Sequence, residues 1–130
     1  MSLAAILSPL AYASSAFILL PAGRDIFSYS TCILPGEDTT RPLMTPASPK
    51  ARTFMWGVWG LNHCALSALK CLAIYRGDKE MLAFTGVTAA ITLGYLVKER
   101  GSFKEAGGDV DGFVAVCTVQ TLSLLGLAFM

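Results

Sequence analysis

Apolar positions fall along this chain in four long blocks, 3–22, 53–75, 81–97 and 113–130, and charge or glycine closes each one. Gly23, Arg24 and Asp25 follow the first block, Lys50 and Arg52 precede the second, 76–80 parts the second from the third, and Lys98, Glu99 and Arg100 follow the third. A hydrocarbon layer about 30 Å thick takes roughly 20 residues of helix to cross. In lipid every backbone polar group must be satisfied internally, which leaves helices or closed barrels. No long alternation of apolar and polar positions, the signature of a barrel strand, occurs here. The pattern predicts an all-α polytopic integral membrane protein, one domain over 1–130 with about four transmembrane helices. The third and fourth blocks are short and leave little room for tilt.

Between the first two blocks the pattern changes. Ile26, Tyr29 and Ile33 recur at helical spacing with Phe27 and Leu34 beside them, which predicts a short helix lying in the interface. Pro35, Pro42, Pro46 and Pro49 follow. Proline removes a donor and breaks regular structure, so the Pro-rich loop is expected to run extended across one membrane face, with 24–52 as interfacial segment and loop.

Composition sharpens the membrane reading. Only 15% of residues are charged and 54% are hydrophobic, where a soluble domain carries about a quarter charged residues. A soluble bundle would need polar helix faces, and these blocks have almost none. The surplus apolar surface requires lipid or partner protein. A net charge of +1 provides no field for a phosphate backbone, which excludes nucleic acid as a partner. The first block ends in small residues like those of a cleavage site, but no Lys or Arg precedes Arg24, so it is expected to be a retained span.

Charge also sets an expected orientation. Arg24, Arg41, Lys50, Arg52, Lys98, Arg100 and Lys104 fall in the first and third connections, against Arg76 and Lys79 in the second, with Lys70 able to snorkel toward it. The two long connections are therefore expected on the positive-rich face and both termini opposite.

Close packing has its own signature. Gly57, Gly60, Cys64, Ser67 and Cys71 form a seam of small side chains on the second block, and Ala83, Gly86, Ala90 and Gly94 form another on the third. Such seams let backbones approach closely, and the two are expected to pack against each other as an antiparallel pair joined by 76–80. The scattered cysteines, Cys32, Cys64, Cys71 and Cys117, lack the spacings of metal or redox motifs and are expected to be packing residues. Cys64 and Cys71 would lie about 10 Å apart along a helix, beyond one S–S bond.

Candidate chemistry centres on the only histidine, His63. It falls near the middle of the second block, along a stripe with Trp56, Trp59 and Lys70, and an intramembrane ionisable group is a functional candidate. A neutral imidazole can ligate the metal of one macrocycle, haem iron or chlorophyll magnesium, or simply bond to a helix neighbour. His63, Asn62, Trp59 and Gln120 are the candidate cofactor-binding residues; chlorophyll, carotenoid and lipid are the candidate cofactors. No His/Cys/Asp/Glu spacing points to a protein metal site or a catalytic cluster. Asp109 and Asp111 are expected to cap the fourth helix.

The sequence thus points to a non-catalytic accessory subunit of a large, hetero-oligomeric, energy-transducing membrane complex, bound by lipids and other integral membrane subunits. A photosystem of the thylakoid is favoured over a respiratory complex of the mitochondrial inner membrane. The rival from another class is a small four-helix membrane enzyme or carrier for an apolar molecule, with His63, Asn62 and Tyr95 lining its site.

Overall fold

A computed structural model describes residues 2–130 of the chain. It is 82% helix with no strand, in six segments: α1 (Leu3–Phe17), α2 (Leu19–Phe27), α3 (Glu37–Met44), α4 (Pro49–Arg76), α5 (Lys79–Glu105) and α6 (Asp111–Phe129). Three helical stretches are long and apolar enough to cross a membrane by length and composition: Leu3–Phe27, Lys79–Glu105 and Asp111–Phe129. The expected count of four spans is therefore only partly met. α4 has the length, 28 residues, but Trp56, Asn62, His63, Ser67 and Lys70 dilute its apolar character.

α1 and α2 form one rod with a break at Ile18. Pro21, inside α2, has no N–H to give the Phe17 carbonyl and its ring crowds that oxygen; Ala22 resumes the ladder by bonding the Ile18 carbonyl at 3.0 Å. The rod continues to Phe27, past the end expected at residue 22. Ile26 and Phe27 therefore belong to α2. Tyr29, Ile33 and Leu34 follow in irregular chain, which corrects the expected interfacial helix.

The Pro-rich loop is corrected too, because α3 occupies its centre. Gly36 enters it with φ +82°, a left-handed conformation that glycine adopts without strain. Pro42 lies in the last turn of this two-turn helix, where it removes at most one backbone bond. Thr40 then fastens α3 to the chain before α6: its hydroxyl donates to the Asp109 carbonyl at 2.6 Å and accepts from the Asp109 amide at 2.9 Å.

α5 is longer than the apolar block that announced it. Asp78 caps its start by accepting from the Met81 amide at 3.1 Å, and the helix runs through Lys98, Glu99, Arg100 and Lys104 to Glu105. The charged run after the third apolar block is therefore mostly the last two turns of α5. Arg100 reaches across to Asp111 at the start of α6 with two bonds of 2.7 and 3.0 Å.

At their glycines the two small-residue seams do not pack against each other. A Cβ on Gly60 would lie 2.5 Å from the Ala22 carbonyl oxygen, so α4 presses there on α2; a Cβ on Gly86 would lie 2.6 Å from Leu125, so α5 presses on α6. Ser67 is buried on the α4 face. Gly57 and Gly94 have nothing within 4 Å of such a Cβ, and Ala83, Ala90 and Cys64 are half-buried. The core runs between the two pairs, from Ala11 of α1 through Ala73, Leu82 and Leu124 to Leu127. Spacing marks which face of a helix is small; which neighbour it receives depends on the whole bundle.

Candidate functional site

Where α2, α3 and the upper part of α4 meet, four charged side chains are buried together. The last turn of α2 carries Arg24 and Asp25, and α3 supplies Glu37 from its first turn and Arg41 one turn on. Arg24 grips Glu37 as a fork, Nη1 to Oε2 at 2.9 Å and Nη2 to Oε1 at 2.6 Å, and turns its Nε to Asp25 at 2.7 Å. Arg41 donates to the same Asp25 oxygen at 2.8 Å and lies 3.6 Å from Glu37. Two guanidiniums and two carboxylates cancel, which is how four charges tolerate burial.

Backbone groups add further partners. Glu37 accepts from the Ile33 and Leu34 amides at 2.7 and 2.9 Å, while Arg24 and Arg41 donate to the Thr31 and Tyr29 carbonyls. Arg41 also stacks 4.0 Å above the Trp56 ring, and Trp56 Nε1 donates to the Thr45 hydroxyl at 3.2 Å. Burial by itself would raise the Glu37 carboxyl, but the Arg24 fork and the two amides outweigh it and hold it at about 2. The quartet fixes the irregular segment 28–36 onto the helices.

Beside the quartet opens a cleft of about 400 Å3 between α3 and the start of α4, with Asp38, Arg41 and Arg52 on its walls. Arg52 is held by carbonyls, Nε to Pro46 at 2.7 Å and Nη2 to Ala47 at 2.6 Å. A second groove, about 390 Å3 and almost wholly apolar, runs between α1 and α6 along Leu10, Ala13, Phe17, Ala115 and Val119.

Deeper in the bundle, Lys70 on α4 points inward. Its Nζ donates to Gln120 Oε1 at 2.7 Å, and Gln120 Nε2 lies 3.4 Å from both the Ser14 carbonyl and the Ser15 hydroxyl. Lys70 therefore does not snorkel to the 76–80 turn, and Gln120 serves as a polar joint among three helices rather than facing outward. At the other end of the bundle Lys79 donates to the Leu127 carbonyl at 2.6 Å.

His63 stacks on Trp59, the ring centroids 4.6 Å apart, and its Nδ1 is 2.9 Å from the Trp59 carbonyl. A carbonyl only accepts, so in this bond Nδ1 donates, and Nε2 is left to other partners. Asn62 and Tyr95 are exposed and line neither cleft. Among the described residues no group of three His, Cys, Asp or Glu could hold a metal ion, and all four cysteines are free. The expected capping of α6 is not met by a side-chain bond at its N-cap, which is Val110: Asp109, one residue earlier, accepts from the Asp111 amide at 2.8 Å, and Asp111, in the first turn, pairs with Arg100 and Lys104. The sequence reading missed the quartet; its one local signal was Glu37 and Arg41 at i,i+4 spacing. Comparison with protein-family models, curated proteins and solved structures finds no match for this chain.

Proposed function

We propose that this chain is a non-catalytic accessory subunit of a larger membrane complex, packed between lipid and other integral membrane subunits. One observation carries the reading: the small-residue seams are only half used within the chain. Gly60 and Gly86 receive neighbours, while Gly57 and Gly94 lie open on faces that also bear exposed Phe54, Ile91 and Tyr95. Small positions left open in a bilayer suit the close approach of helices from other subunits. Arg24, Asp25, Glu37 and Arg41, and likewise Lys70 and Gln120, are by contrast turned inward and spent on one another.

Within such assemblies a photosystem is favoured by His63. Its Nδ1 proton is committed to Trp59, the arrangement in which an imidazole offers Nε2 to a metal, and a chlorophyll magnesium at that nitrogen would lie beside the Trp59 ring. Carotenoid or lipid chains would suit the apolar α1/α6 groove, and the thylakoid would be the location.

The test is purification in mild detergent from the native membrane, reading particle mass and absorption. Migration far above 13.8 kDa, lost in Gly57→Leu and Gly94→Leu, supports the accessory role; a free particle with neither partner nor pigment overturns it. Loss of a chromophore in His63→Leu with assembly intact supports the pigment, and an unchanged spectrum rejects it.

A further inference from the structure

We propose that the cleft between α3 and the start of α4 seats the zwitterionic headgroup of a phosphatidylethanolamine-type lipid, with the phosphate on Arg52 and the primary ammonium on Asp38. The charges left over after the quartet single out this pair. Arg41 lines the cleft but is neutralised by Asp25 and Glu37. Arg52 and Asp38, one of each sign, also line it, and neither has an ion-pair partner among the described residues. Pro46 and Ala47 carbonyls hold the Arg52 guanidinium through Nε and Nη2, which fixes its position without cancelling its charge and leaves Nη1 to donate. A guanidinium matches a phosphate's oxygens; a carboxylate needs a cation that can donate.

The place of the cleft explains why the ligand is a lipid. Asp38 stands in the first turn of α3 and Arg52 in the first turn of α4, so on the membrane reading the cleft lies where α4 enters the bilayer, at the depth of the headgroups. Acyl chains would leave it toward the hydrocarbon, whereas free phosphoethanolamine gains nothing from that depth. The pair also discriminates among lipids. Phosphatidylcholine presents a trimethylammonium with no N–H for Asp38, and phosphatidylglycerol brings no cation.

The inference rests on membrane residence, and the two fail separately. A chain that is not embedded does not co-purify with lipid nanodiscs, whereas an embedded chain without this site takes up lipids in their bulk proportions. The experiment is native mass spectrometry of the full chain from nanodiscs of equal phosphatidylethanolamine, phosphatidylcholine and phosphatidylglycerol. Expected is several-fold enrichment of bound phosphatidylethanolamine over both others. Asp38→Asn should abolish its preference over phosphatidylglycerol, Arg52→Gln should abolish enrichment altogether, and Arg52→Lys should keep part of it. Lys98→Gln, an exposed cation elsewhere, should change nothing. Unenriched lipid in the wild type, or enrichment that survives both Asp38→Asn and Arg52→Gln, overturns the proposal. So does displacement of the lipid by millimolar free phosphoethanolamine, which would identify a soluble ligand instead.

Discussion

Glu37 is 1% exposed, accepts from Arg24 and two amides, and touches Arg41. Removing its charge leaves Arg24 and Arg41 with Asp25 alone. A buried pair broken from one side costs on the order of 3–5 kcal/mol, so Glu37→Gln should lower the unfolding midpoint in detergent well below that of an exposed change such as Glu80→Gln. The pH dependence has a definite sign. With the carboxyl held at about 2 against an ordinary 4.5, its contribution is complete above pH about 4.5 and fades as pH falls toward 2. The stability difference between wild type and Glu37→Gln should shrink across that window and stay flat above it. Thr121 predicts the opposite direction. Its hydroxyl is buried with no partner, so Thr121→Val should hold or raise the midpoint, by up to about 1 kcal/mol. At this scale the sequence was least legible. Arg24 and Asp25 read as the border of a span because nothing local indicates that Glu37, 13 positions on, folds back over them.

Apolar block length located the four long helices but misjudged their ends, since helices continue through charged turns as long as caps and ion pairs satisfy them. α5 runs past its apolar block because Arg100 and Lys104 find Asp111. α3 forms despite Pro42 because Arg24, Thr40 and Arg41 attach it to the rest of the molecule, tertiary contacts that outweigh propensity. The glycines test helix pairing directly. A Cβ at Gly60 would meet backbone, the Ala22 oxygen at 2.5 Å, whereas one at Gly86 would meet the flexible end of Leu125 at 2.6 Å. Gly60→Ala should therefore cost more than Gly86→Ala, within the roughly 1–3 kcal/mol of overpacking. Gly57→Ala meets nothing and, in mid-helix, should stabilise the isolated chain by about 0.5–1 kcal/mol. Thermal unfolding of the three variants in one detergent ranks them, and equal midpoints would remove the α2/α4 contact from the fold.

Charge counting and packing bear together on how the whole molecule sits in a bilayer. Thr40 and Asp109 hold the 28–48 and 106–110 connections together, and the seven cations that the sequence assigns to one face lie in the first of these or in the helix turns that flank the two. Lys79 and the Leu127 carbonyl join the 77–78 turn to the end of α6 at the opposite end of the bundle. α5, long and apolar enough to span, connects those two ends. If it crosses, α4 must cross as well, since α4 begins beside Thr45 at one end and reaches the 77–78 turn at the other. The diluted apolar character of α4 is then tolerated because Trp56 and Lys70 turn to Thr45 and Gln120 rather than to lipid. Cysteine accessibility decides it, with Cys32, already exposed in the loop, as the native probe. In sealed, oriented vesicles an impermeant maleimide should reach Cys32 from one side only, and Ser2→Cys and Glu80→Cys, each placed in a Cys32→Ser background, from the other. Labelling of Glu80→Cys from the Cys32 side would leave α4 outside the membrane and separate α5 from the spans.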